Sequence, residues 1–120
     1  MGKTVLVADD SSTMRKIILR SLQAVGVPDA VEAADGVEAV AKFQQHSIDL
    51  VLTDWNMPNK SGLEVIREIR ALNAKVPIIM VTTEAEKTRV LEAIQAGVSD
   101  YLVKPFTAET LREKLEKHGC

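Results

Sequence analysis

Two hydrophobic patterns alternate along the chain. Short runs rich in β-branched residues span Thr4 to Ala8, Ala30 to Ala33, Asp49 to Thr53, Val76 to Thr82 and Asp100 to Val103. Their lengths suit buried strands, and several are apolar on both faces, as the covered strands of a parallel sheet must be. Between them, apolar residues recur at helical spacing: Met14, Ile17, Ile18, Leu22 and Val25; Val37, Val40 and Ala41; Leu63, Ile66, Ile69 and Leu72; Val90, Leu91 and Ile94; Leu111 and Leu115. Each set puts one apolar stripe on a helix. Asp35 with Glu38, Ser61 with Glu64 and Thr83 with Glu86 have the spacing of capping boxes at helix starts. Gly26 and Gly97 stand where left-handed caps would end helices, and Pro28 and Pro77 stop helical continuation.

Strands alternating with helices form βαβ units, which require a parallel sheet with helices on its faces. The pattern therefore predicts an α/β fold. It is a single doubly wound, flavodoxin-like domain over residues 1–120, with five parallel strands and five helices. The order 2-1-3-4-5 is the one such folds of this size commonly use.

Composition narrows the function. The 120 residues match the commonest size of one domain. A hydrophobic content of 46% with 27% charged residues is that of a globular chain and argues against disorder. The formal net charge of -2 favours neither nucleic acid nor an anionic membrane as a partner. The one cysteine, Cys120, excludes an intramolecular disulfide. The apolar run near the N-terminus is too short for a signal peptide or a membrane span, so a cytoplasmic protein is expected.

In an open parallel sheet, ligands bind beyond the carboxyl ends of the strands, near the point where the strand order reverses. The first strand ends in Asp9-Asp10, the third in Asp54, the fourth in Thr82-Thr83 and the fifth in Lys104-Pro105. Singly, each has an ordinary explanation: a turn, a cap or a solvated charge. Together they bring three carboxylates to one edge, where two unit charges about 4 Å apart cost on the order of 4 kcal/mol at an effective dielectric near 20. A hard cation with oxygen ligands, helped by Lys104, would compensate. Mg2+ suits this inventory, since one or two carboxylates and a carbonyl suffice beside its waters. His46 and His118 are far apart in sequence and expected at the surface, which leaves no cluster for zinc.

With these residues in view, the chain resembles response regulator receiver domains, and among them chemotaxis regulators. The likeness rests on Asp9-Asp10, the run Asp54 to Asn59 with Gly62, the segment Met80 to Thr82, and Tyr101 to Phe106. It implies that Asp54 is the phosphoacceptor and that Asp10, Asp54 and the Asn56 carbonyl hold Mg2+ (or Mn2+), with Asp9 acting through a water. Thr82 would be the hydroxyl that turns toward the phosphoryl group, Lys104 its ionic partner, and Tyr101 the aromatic switch on the output face. The resemblance also implies a cis Lys104-Pro105 bond. Asn56 and Glu84 would tune dephosphorylation toward a short-lived state.

The partners implied are a sensor histidine kinase as phosphodonor and an output protein, with the flagellar motor switch as its chemotactic form. A phosphatase is a further partner. The expected molecule is a monomeric switch, not a classical enzyme, with Tyr101, Lys87 and the last helix as its docking face. The alternatives are a phosphorelay intermediate and an interaction module that has lost phosphotransfer. A haloacid-dehalogenase-type hydrolase needs an acid where Asn56 stands. A flavodoxin-like cofactor binder needs a hydroxyl- and Gly-rich phosphate loop where Asp9-Asp10 stand.

Overall fold

A computed structural model describes residues 3–27, 29–83 and 89–119, and of Val90 the backbone alone. The elements follow in strict alternation: β1 (Val5–Ala8), α1 (Ser12–Ala24), β2 (Ala30–Ala33), α2 (Gly36–Gln45), β3 (Leu50–Asp54), α3 (Gly62–Leu72), β4 (Ile78–Thr83), α4 (Val90–Ala96), β5 (Asp100–Lys104) and α5 (Ala108–Lys117). The strands form one parallel sheet in the order β2-β1-β3-β4-β5, as expected. β1, β3 and most of β4 are buried along their length. That accounts for their unbroken apolar sequence, because neither face meets water.

The sheet separates two cores. Leu6, Val51, Ile78 and Met80 point to one side, where they meet Ala39 of α2, Val65, Ile66 and Ile69 of α3, and Ala93 of α4. Val5, Val7, Leu50, Leu52, Ile79 and Leu102 point to the other, against Ile18 and Leu22 of α1 and Leu111 and Leu115 of α5. Alternate residues on each strand divide between the two layers.

Helix ends follow the expected chemistry where they are described. Ser61 and Glu64 form a complete capping box. Asp35 accepts from the Glu38 amide, while Glu38 reaches one residue further back, to the Ala34 amide. Ser11 and Thr107 cap α1 and α5 by the same side-chain acceptance. Gly97 ends α4 in the left-handed region at φ 111°. The Lys104-Pro105 bond is cis. The Thr83–Glu86 pairing, Pro28, Lys87, Glu84 and Cys120 lie outside the described residues.

Three expectations need correction. The α4 stripe does not face the core: Leu91 and Ile94 are 65% and 55% exposed, and Ala93 makes the buried contact. α2 buries Gly36, which lies against Lys60, and Ala39, with Val40 and Phe43 packed at the edge of the core; of the expected stripe only Val37 is exposed. His118 is not a plain surface residue. Its Nε2 lies 3.0 Å from Asp100 Oδ2, in a cluster that also holds Lys114 at 2.9 Å and Lys117 at 3.5 Å. Among the described residues no helix is long and apolar enough to cross a membrane.

Candidate functional site

The site grows from the sheet's register. Ala8 pairs with Thr53 on neighbouring β1 and β3, so Asp9 and Asp54, each the next residue, emerge side by side. Thr83 pairs with Lys104 on β4 and β5. The strand order reverses between β1 and β3, where α/β folds of this kind leave a crevice. One carboxylate oxygen from each of Asp9, Asp10 and Asp54 lies within 4.8 Å of the others. Lys104 Nζ stands 3.4 Å from Asp54 Oδ1 and 3.8 Å from Asp9 Oδ2.

Burial differs sharply within the trio. Asp9 and Asp54 are buried and Asp10 is exposed. Desolvation raises the Asp9 carboxyl above its ordinary pKa, opposed by the Ser11 amide and Lys104 and reinforced by Asp10. Desolvation also raises Asp54, opposed by Lys104 and reinforced by Asp9. Lys104 is thus the main group favouring ionisation of Asp54, whereas at Asp9 it comes second to the Ser11 amide. Asp9 Oδ1 accepts the Ser11 amide at 2.9 Å, whereas Asp9 Oδ2 is buried without a hydrogen-bond donor. A buried carboxylate oxygen with no donor is costly, and a bound cation, or a water carried by one, would satisfy it. With the neighbouring oxygens of Asp10 and Asp54, this all-oxygen donor set fits a hard divalent ion.

The backbone around the site is fixed by close approaches. The Gly62 amide donates to the Trp55 carbonyl at 2.7 Å, and a Cβ at Gly62 would run into the Asp54 carbonyl. Asn59, at φ 71°, donates to the Asp35 carboxylate at 2.9 Å and so ties the β3–α3 loop to α2. Arg15 donates to the Asp9 carbonyl at 2.6 Å and pairs with Glu32 at 3.0 Å. Arg15 is not among the residues the motifs single out, although its place one turn into the helix after Asp9-Asp10 is a usable signal.

Of the other expected site residues, Asn56 is exposed just beyond β3. Thr82 is fully buried. Its hydroxyl accepts from the Trp55 indole Nε1–H at 3.1 Å and donates to the Thr83 carbonyl at 3.3 Å. Trp55 was not expected to touch Thr82. Tyr101 is half-buried, and Lys114 Nζ sits 5.1 Å above its ring. Met80 pairs with Tyr101 and Thr82 with Val103, so Thr82 and Tyr101 share one face of the sheet on adjacent strands. The structure therefore gathers Asp9, Asp10, Asp54 and Lys104 at one edge, with Thr82 and Tyr101 a strand or two away.

The family description "response regulator receiver domain" matches residues 5–116. The chain is 50% identical over 115 residues to chemotaxis protein CheY1 of Helicobacter pylori, covering 93% of each chain. It is 44% identical over 115 residues to chemotaxis protein CheY of Pseudomonas aeruginosa, covering 94% of this chain and 93% of that one. The solved structure of the chemotaxis response regulator CheY4 of Vibrio cholerae superposes with a TM-score of 0.89 at 36% identity, over 98% of this chain and 99% of that one. The receiver domain of a Pseudomonas aeruginosa sensor histidine kinase, solved with magnesium coordinated in its active-site cleft, superposes with a TM-score of 0.89 at 32% identity over both whole chains.

Proposed function

Because the chain belongs to the response regulator receiver family, we propose that it is a phosphorylation switch in which Asp54 accepts a phosphoryl group from a sensor histidine kinase. The observation that carries this reading is the convergence on Asp54: two further carboxylates within 4.8 Å and an ammonium at 3.4 Å. Phosphoryl transfer spreads charge over the equatorial oxygens of a loose transition state, so the protein's work is positioning and electrostatic stabilisation. Lys104 is placed to stabilise that charge and to pair with the product. The Trp55 amide donates to Asp54 Oδ1 at 2.9 Å and fixes the carboxylate's orientation before transfer.

Asp10, Asp54 and the Asn56 carbonyl would hold Mg2+, with Asp9 acting on it through water. When bound, the ion supplies charge neutralisation among the acids and the incoming phosphoryl oxygens. Transfer to Asp54 replaces about one negative charge by roughly two and adds strong acceptor oxygens. Thr82 is the hydroxyl that turns to one of them, and Tyr101, on the same sheet face, follows. Asn56 and Glu84 set how quickly water removes the phosphoryl group.

The output is protein binding, with the flagellar motor switch as the target that the chemotactic relatives suggest. The exposed Leu91 and Ile94 on α4, the helix leading into β5, offer an apolar surface for such a contact.

The test uses intact protein with Mg2+ and acetyl phosphate, read by the mass of one added phosphoryl group and by the fluorescence of Trp55. The wild type should gain the mass and change its emission, and Asp54→Asn should do neither. A folded wild-type protein that takes up no phosphoryl group would leave the interaction-module alternative standing instead.

A further inference from the structure

The acidic pocket and the output face are joined by a contact that the phosphorylation reading leaves unused. Trp55 follows Asp54 directly and is 1% exposed. Its indole Nε1–H donates to the Thr82 hydroxyl at 3.1 Å. That hydroxyl has one proton, which goes to the Thr83 carbonyl at 3.3 Å. At rest, then, the Thr82 hydroxyl accepts from the buried indole and donates to the carbonyl of half-buried Thr83. A phosphoryl oxygen on Asp54 needs that same proton, so Thr82 can serve it only by leaving both partners. The other side of the indole is occupied as well: the Arg89 guanidinium carbon, at the N-cap of α4, lies 4.4 Å from the ring centroid, within cation–π range.

We infer that Trp55 is a positioning residue: its indole N–H latches the Thr82 hydroxyl in the resting position, and its ring transmits release of that latch through Arg89 to α4. This rests on the phosphoacceptor reading for its purpose, while the latch itself is a property of the unphosphorylated protein. The consequence is thermodynamic. Thr82 turning away strips a buried indole donor of its acceptor, which biases the switch toward rest. The indole can recover solvation only by moving, and its movement displaces the guanidinium that starts α4. The fold would thereby carry two outputs from Thr82: one across β4 to Tyr101 on β5, the other through Trp55 to the helix bearing Leu91 and Ile94.

Trp55 is the only tryptophan, so its indole proton is a unique NMR signal. In metal-free protein, Thr82→Val should speed solvent exchange of that proton roughly tenfold or more, whereas Thr82→Ser, which keeps a hydroxyl, should preserve protection. Thr82→Val should also shift the amide signals of α4, and should no longer do so in a Trp55→Phe background. With Mg2+ and beryllofluoride as the phosphoryl mimic, Trp55→Phe should bind the mimic roughly 2- to 10-fold more tightly than wild type, a gain that vanishes when Thr82 is Val. An indole proton indifferent to Thr82→Val, or a Trp55→Phe gain that persists in the Thr82→Val background, overturns the latch. A protected indole in a wild-type protein that binds no beryllofluoride would sink the phosphoacceptor reading and leave the latch in place.

Discussion

Lys104→Met tests the electrostatics on which the site depends. The substitution removes the ammonium and keeps most of the bulk of the stem. In the native protein the ammonium lies 3.4 Å from Asp54 Oδ1 and 3.8 Å from Asp9 Oδ2, with all three side chains largely shielded from water. At an effective dielectric near 20, each contact represents about 4 to 5 kcal/mol of gross attraction. The expected loss is smaller than the sum, because a carboxylate left without its counter-charge can take up a proton. Protonating an aspartate of ordinary pKa at neutral pH costs roughly 4 kcal/mol, which caps the penalty for each acid. Breaking a buried pair by removing one partner costs about 3–5 kcal/mol. The expected destabilisation in neutral, chelator-treated buffer is therefore about 2–4 kcal/mol.

The pH dependence separates this account from a packing defect. Burial raises the pKa of both Asp9 and Asp54, and Lys104 pulls both back down. Without Lys104 both folded-state values rise further. The folded variant then holds more protons than the unfolded chain above the ordinary carboxylate range, so its stability falls as pH rises through that range. The deficit relative to wild type should be small near pH 4, where protons substitute for the ammonium, and complete by pH 7. Urea unfolding of both proteins across that span measures it. Mg2+ at neutral pH should then stabilise the variant more than the wild type, since the ion restores the missing positive charge. A deficit of constant size at every pH would refute the electrostatic reasoning, as would an undiminished wild-type stability.

Two further outcomes follow from single contacts. Gly62→Ala should destabilise the fold by roughly 2 kcal/mol or more and alter Trp55 emission, because the added Cβ collides with the Asp54 carbonyl and forces the end of β3 to move; wild-type stability in urea would show that the loop yields freely. At Asp100, burial opposes ionisation, but hydrogen bonds from Lys114, His118 and the Tyr101 amide outweigh it and hold the carboxyl below its ordinary pKa. That contribution is present at neutral pH and lost as pH falls below the ordinary carboxylate value. Asp100→Asn should therefore cost about 1–3 kcal/mol near pH 7, with the difference from wild type closing in acid, and a pH-independent difference would contradict it.

The fold and the charged site were legible for the same reason. Strands covered on both faces must be apolar nearly throughout, so Val5–Ala8, Leu50–Asp54 and Ile78–Thr83 stand out from the amphipathic stretches. Once they are placed in a parallel sheet, the polar residues that end them have nowhere to go but one edge. Asp9, Asp54 and Lys104 converge by topology alone, without any knowledge of side-chain conformation. What periodicity could not show was which side of a helix the core would claim. Leu91 and Ile94 read as a core stripe, yet Ala93 makes the contact, because an apolar stripe left at the surface has the same spacing as one that faces the interior. Arg70 was equally silent in the sequence. Its guanidinium donates to the carbonyls of Gly97, Asn73 and Val76 and to the Ser99 hydroxyl, a staple between α3 and the loops beside β4 and β5 that leaves no mark in local periodicity.

The Trp55–Thr82 bond lies between these cases. Strand parity held the clue, since Val51, Thr53 and Trp55 alternate onto the face that also receives Ile78, Met80 and Thr82. An indole and a hydroxyl on one face of adjacent strands are natural partners, because each is costly to bury alone. Parity gives the face and leaves the rotamer open, and the switch proposed above would work by rotamer. Charges that converge by topology can be read from strand ends, whereas on the proposed latch the choice of a hydroxyl between an indole and a phosphoryl oxygen would depend on a difference of one hydrogen bond. Tuning of such a switch should therefore concentrate in buried neighbours of Thr82 like Trp55, which change that difference while leaving the acidic pocket intact.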